Sequence, residues 1–288
     1  MLMMQERRDH FIKIRFRSML EIKRVGGFLG IDKDGYIVKE ASLDRITEKW
    51  KTVIKETIRA YKEHFGENLL SVYVRGSVAK GDAIDGISDL DTIAVLESFS
   101  KNKDTWGDVF SNEMVKKYPF VEKIEITAGT REQAVDPNRA VRIMLKTQAV
   151  CVFGKDISSE IPKLRPGKES CQHFRWLQHD LLDSIDFFEG QWGENEEENQ
   201  KKITWITRRI LRTGFELVME REQKYTRDLH PCYESFSKYY PEKEKLMLTT
   251  LNLAINPVLE VNHILRVLKS WLVWMPQEIE RIFDFKKL

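Results

Sequence analysis

One segment restricts what this chain can fold into more than any other. Ser71-Val72-Tyr73-Val74-Arg75 reads as a strand and runs into Gly76-Ser77; a polar stretch follows, and Asp89-Leu90-Asp91 then opens the apolar run Thr92 to Leu96. Side chains at i and i+2 of a strand project to one face, so Asp89 and Asp91 converge on a common point. Carboxylate oxygens so placed suit a hard divalent cation, which also takes phosphate oxygens as ligands. Gly76 offers no side chain to block a phosphate from the backbone, and the Ser77 hydroxyl adds a donor. The pattern is that of a metal-dependent site for phosphates.

The surrounding sequence predicts an α/β unit. Ser42 is placed to cap a helix whose apolar positions Ile46, Trp50, Val53, Ile54, Ile58 and Tyr61 follow the helical period, and Gly66 ends it. Before it, the spacing predicts a charged helix over about 5–23 and a turn or short hairpin at Asp32 to Tyr36. After the second strand come a helix from Trp106 to Tyr118, an alternating strand from Val121 to Thr127, a helix from Asn138 to Thr147, and an apolar run at Ala149 to Phe153. The alternating strand supplies a third carboxylate. Ile124 and Ile126 face the core, which leaves Glu125 on the side of the two aspartates, whereas Glu122 falls on the other face.

From Gly154 to Gly167, with Pro162 and Pro166, the chain reads as a linker. Beyond it only helical periodicity is found, over about 168–190, 200–223, 242–254, 257–272 and 276–285, and the Glu194 to Glu198 run reads as a solvated loop. The first of these helices has a buried stripe of Phe174, Leu177, Leu181, Ile185 and Phe188. Trp176 lies on the polar face, one turn before Asp180 and two before Asp183. An aromatic plate beside two carboxylates suits a cationic, sugar-like ligand.

Composition narrows the alternatives. A net charge of +2 over 288 residues gives no strongly basic surface, so nucleic acid is not the expected partner. No apolar run is long enough for a bilayer, and the N-terminus becomes charged too early for a signal peptide, so the expectation is a cytoplasmic protein without a membrane partner. Cys151, Cys171 and Cys232 are odd in number and widely spaced, which excludes a disulfide framework and a CxxC metal site. Walker A and GxSxG motifs are missing.

The string Arg75-Gly76-Ser77 through Ser88-Asp89-Leu90-Asp91 resembles the motif of the polymerase-beta-like nucleotidyltransferase superfamily: Gly-Ser, a spacer of about ten residues, and Asp-x-Asp. The stretch Arg208 to Glu234 resembles the helical domain of streptomycin and spectinomycin adenylyltransferases. The resemblance implies an α/β nucleotidyltransferase domain, with a mixed sheet and flanking helices, over residues 1–155, followed by an all-α helical bundle for substrate binding over 156–288. It implies AMP transfer from ATP to a hydroxyl of an aminoglycoside-like acceptor. Asp89, Asp91 and Glu125 would hold Mg2+, with Glu125 also the general base, while Gly76, Ser77 and Arg227 would meet the nucleotide. Trp176, Asp180 and Asp183 would hold the acceptor. At Arg227 the family has lysine, and the N-terminal extension is also a departure. A protein or RNA acceptor, and a non-catalytic nucleotide sensor, remain open beside this reading. Lys80 and Arg75 are further cations near the motif without an assigned role.

Overall fold

The computed structural model describes residues 24–98, 105–190, 193 and 195–284; the helix expected over about 5–23 lies outside them. Ser42 caps a 3-10 turn, Leu43–Arg45, and not the long helix. That helix, α1 (Glu48–Phe65), begins after Thr47 and buries Trp50, Val53, Ile54 and Tyr61 on one stripe; Gly66, at φ 54°, ends it. Next come β1 (Leu69–Arg75), the short helix α2 (Gly76–Lys80), β2 (Leu90–Leu96), α3 (Trp106–Lys117), β3 (Ile124–Thr130), α4 (Arg131–Val135), α5 (Ala140–Thr147) and β4 (Val150–Gly154).

The four strands form one mixed sheet in the order β3-β2-β1-β4. β1 pairs antiparallel with β2 and β4, and β2 pairs parallel with β3. Both faces of β2 are buried, which is why Leu90 to Leu96 reads as a nearly unbroken apolar run. On one face Val74, Leu90 and Ile124 pack with Trp50, Val53 and Ile54 of α1. On the other, Tyr73 and Ile93 pack with Leu145, Ala149 and Ile157. Strand alternation carries this second face on to Arg75 and Asp91 at the strand ends.

The stretch expected to be a linker is anchored, with Ile157, Ile161 and Leu164 all buried. After it come α6 (Leu177–Gly190), α7 (Glu196–Glu216), α8 (Met219–Glu222), α9 (Leu229–Tyr239), α10 (Glu244–Ile255) and α11 (Val261–Phe283). These helices enclose a core of their own, built on Leu181, Ile206, Phe215, Phe236, Met247, Leu268 and Trp271. Three sequence expectations change. Glu196 to Glu198 are the first turn of α7, capped by the Asn195 side chain, where carboxylates meet the positive end of the helix dipole. α9, which follows the Thr226-Arg227-Asp228 turn, lies outside the stretches that periodicity marks as helical. Pro276 lies inside α11 instead of dividing two helices, and it is held there by burial with Trp271, Met275 and Ile279.

The N-terminal segment also departs from its assignment to the sheet half. Phe28, Leu29 and Ile37 pack into the helical core. Leu29 N–H donates to Tyr225 O at 2.8 Å, and the Thr226 hydroxyl donates to Gly27 O at 2.6 Å. The Asp32–Tyr36 turn closes an isolated Ile31–Ile37 bridge. Tyr225 joins the halves, its hydroxyl accepting from Gln148 of the sheet half at 3.1 Å and from Gln172 at 2.8 Å. Among the described residues no helix is long and apolar enough to cross a membrane.

Candidate active site

Strand register assembles the site. Arg75 of β1 is paired with Asp91 of β2, and Asp91 with Glu125 of β3, so the three form one row across the sheet. Asp89 lies two residues before Asp91. One carboxylate oxygen from each of Asp89, Asp91 and Glu125 falls within 4.8 Å of the others. Three hard oxygen donors at this spacing fit a divalent cation such as magnesium, and they offer nothing to a soft metal.

Two further observations define the geometry. Gly76 has φ +74°, and a Cβ there would stand 2.2 Å from Asp91 Oδ2, so the aspartate occupies the space that any other side chain would fill. Arg75 Nη2 lies 2.7 Å from Asp91 Oδ1 and 3.1 Å from Glu125 Oε2. Burial, reinforced by a hydrogen bond with Glu125, pushes Asp91 up to about 8 against the pull of Arg75. The same hydrogen bond, together with Arg75 and Lys123, holds Glu125 below the usual carboxylate range despite partial burial. Ser77 is half-buried at the start of α2. Lys80, on the same short helix, is engaged by Glu40 at 3.2 Å.

A second feature was not anticipated. A cavity of about 640 Å³ opens beside α7 and is lined by Lys201, Trp205, Arg208, Arg209, Arg212 and Arg227, with Glu197 the one carboxylate. Lys201, Trp205, Arg208 and Arg212 recur at the helical three- and four-residue spacing, so one face of α7 is basic. Among the described residues Arg208, Arg212 and Arg227 form no ion pair. Arg227 Nη1 is shut off from solvent without a hydrogen-bond partner. Burial followed by the neighbouring charge of Arg227 lowers Arg212 to about 10. Burial also lowers Arg227, and Arg75 adds to the effect, so the cavity and the carboxylate row feel one another.

His173, which also lines the cavity, is paired with the buried Glu216, Nδ1 and Oε1 being 2.7 Å apart. Glu216 also accepts backbone N–H groups of Gln172, His173 and Phe174. These bonds and His173 keep it ionised against its burial. His173 is driven down to about 4, chiefly by burial and also by Arg227 and Arg212, with Glu216 opposing.

The residues expected to hold an acceptor are divided. Trp176 is 57% exposed in a 3-10 turn just before α6. Asp183 is exposed and 3.3 Å from His179. Asp180, expected on the polar face beside Trp176, is buried instead, and its Oδ2 meets Arg209 Nε at 2.5 Å. Arg227, expected to meet the nucleotide, lines the cavity.

Residues 54–150, from within α1 to the start of β4, match the family model described as nucleotidyltransferase domain. No curated protein matches the chain. Among solved structures it is similar to spectinomycin adenyltransferase AAD(9) from Enterococcus faecialis with ATP and spectinomycin, at 14% identity and TM-score 0.45, over 79% of this chain and 98% of that one. It is also similar to a nucleotidyltransferase-like protein from Exiguobacterium sibiricum 255-15, at 11% identity and TM-score 0.30, over 81% of each chain. The family match covers both strands of the Gly-Ser and Asp-x-Asp motif and the strand of Glu125: this chain carries a nucleotidyltransferase domain.

Proposed function

We propose that the protein transfers a nucleoside monophosphate, in the first instance AMP from ATP, to a hydroxyl of a small molecule and releases pyrophosphate. The observation that carries this reading is the convergence of Asp89, Asp91 and Glu125 beside the Gly76-Ser77 turn. Magnesium, when bound by these three carboxylates, would neutralise charge on the reacting phosphate and on the departing pyrophosphate. Asp91 holds that position from β2, Asp89 from the loop just before that strand, and Glu125 from β3. Glu125, the more exposed end of the row, also accepts the proton of the acceptor hydroxyl. The hydroxyl oxygen bonds to the α-phosphorus as the bond to the bridging pyrophosphate oxygen breaks.

The Ser77 hydroxyl and nearby backbone amides of the Gly76-Ser77 turn take phosphate oxygens on one side. Arg212 and Arg227 take them on the other, because half-buried guanidiniums without carboxylate partners are satisfied by a polyanion. The large basic cavity is therefore given to the triphosphate. For the acceptor we retain a hydroxylated cationic compound of the aminoglycoside class, seated on the Trp176 ring and the outward Asp183. Asp180 leaves this set, being engaged by Arg209.

A pyrophosphate-release assay with ATP, magnesium and an aminoglycoside panel tests the proposal. Release is expected with at least one member, and Trp176→Ala should raise its KM about tenfold with the KM for ATP unchanged. Release with other hydroxylated compounds only would overturn the acceptor class. ATP binding with no release for any acceptor would overturn the transfer reading.

A further inference from the structure

The cation seen among the catalytic carboxylates belongs to the protein itself. Arg75 Nη2 contacts an oxygen of Asp91 and an oxygen of Glu125, two of the three groups that together suit a divalent ion. This contact is imposed by strand register, since Arg75, Asp91 and Glu125 occupy one row of paired residues across β1, β2 and β3. A guanidinium bridging two carboxylates and an ion ligated by the same two carboxylates compete for the same negative charge and repel one another. Both cannot be fully engaged at once.

Arg75 has one other place to go. Its charge adds, after burial, to the lowering of Arg227 in the cavity, so the two guanidiniums repel one another. With the cavity empty, repulsion from Arg227 favours the carboxylates. With a polyphosphate in the cavity the balance reverses, because an anion beside Arg227 attracts Arg75 as well. The side chain is long and 23% exposed, so its head can exchange partners while the strand stays paired.

We infer that Arg75 is an internal stand-in for the metal, holding Asp91 and Glu125 in place until a nucleotide polyphosphate draws it away and admits the ion. The inference rests on the metal and nucleotide reading given above and adds a coupling to it: metal alone binds weakly, nucleotide strengthens it, and Arg75 is the positioning residue that links the two. Coupling of this kind is reciprocal, so the metal strengthens nucleotide binding by the same factor.

The test is a Mn2+ titration followed by electron paramagnetic resonance, with and without the non-transferable analogue α,β-methylene-ATP, on the full-length protein and on Arg75→Met, Arg75→Lys and Asp89→Asn. In the unaltered protein the analogue should tighten Mn2+ binding at least tenfold beyond what free analogue chelates. Arg75→Met should tighten binding of Mn2+ alone about tenfold and abolish most of that coupling. Arg75→Lys, which keeps the charge but cannot bridge two carboxylates as a planar fork, should fall between them. Mn2+ that binds and is lost in Asp89→Asn, but with the same affinity in Arg75→Met, would overturn the stand-in role and leave the metal site intact. If Arg75→Met does not fold, absence of coupling in the unaltered protein overturns the inference on its own. Failure of every variant to bind Mn2+, with or without analogue, would overturn the metal reading together with it.

Discussion

Two charged clusters of this molecule are unbalanced in opposite senses. At the strand ends, Asp89, Asp91 and Glu125 gather beside Arg75, and burial together with the neighbouring carboxylates raises Asp91 to about 8. At the α7 cavity, Arg208, Arg212 and Arg227 form no ion pair among the described residues, and burial followed by the charge of Arg227 lowers Arg212 to about 10. A charge held away from water without compensation is costly on either side. One cluster asks for a cation and the other for an anion. A metal–triphosphate complex supplies both, which is why the proposed reaction needs the two clusters together.

The comparison breaks most visibly at the carboxylates. Asp89→Asn and Asp91→Asn keep the side-chain shape but remove a charge the proposed ion depends on. Each should lower pyrophosphate release by roughly a thousandfold, a loss of the size seen when a preorganised electrostatic group is deleted. Melting temperature should not fall, since a surplus charge is being removed. Turnover within tenfold of the unaltered protein would mean that the row is structural.

The next effect lies in the α7 cavity. Arg227→Met retains the apolar stem and deletes the orphan Nη1 along with its charge. Nucleotide affinity, read by calorimetry with ATP, should weaken about a hundredfold, the scale of a buried charge-assisted contact to phosphate. Stability should hold or rise, because an unpartnered buried donor is lost. Unchanged affinity would separate the cavity from the nucleotide and leave the two clusters unrelated.

How much of this was visible beforehand depends on the range of the interactions. Asp89, Asp91 and Glu125 were legible because the period-2 alternation of a strand is local, and Ile124 and Ile126 declare which face Glu125 takes. Arg75 stands next to Gly76 in the sequence, yet its role depends on register with two other strands. Asp180 was misread for a similar reason. It borders the stripe of Leu177 and Leu181, and only Arg209, 29 residues later on the neighbouring helix, turns that border into interior. Pro231 falls in the first turn of α9, where a proline costs no hydrogen bond. Pro276, by contrast, misled: it does interrupt α11's bonding, and burial beside Trp271 and Met275 outweighs the loss. A basic stripe at Lys201, Arg208 and Arg212 was present at helical spacing, but charge on a helix face ordinarily means water.

The smallest predicted effect tests the interior side of the basic cluster. His173 is held at about 4, well below its ordinary value near 6.5, by burial and by Arg227 and Arg212. The folded protein therefore keeps it neutral where the unfolded chain takes a proton, so the unfolded state binds more protons between about pH 6.5 and 4. Stability must fall as pH drops through that window, by about 2 kcal/mol between pH 7 and 5 for this group. Urea midpoints at the two pH values measure the loss, and His173→Asn should remove this share of it while other acid-titrating groups continue to contribute. Tripolyphosphate sharpens the comparison. An anion that settles against Arg212 and Arg227 relieves the repulsion felt by a protonated His173, so the pH-dependent loss should shrink in its presence. Should the loss remain the same with tripolyphosphate bound, the arginines do not govern His173, and the cavity anion and the His173–Glu216 pair act independently.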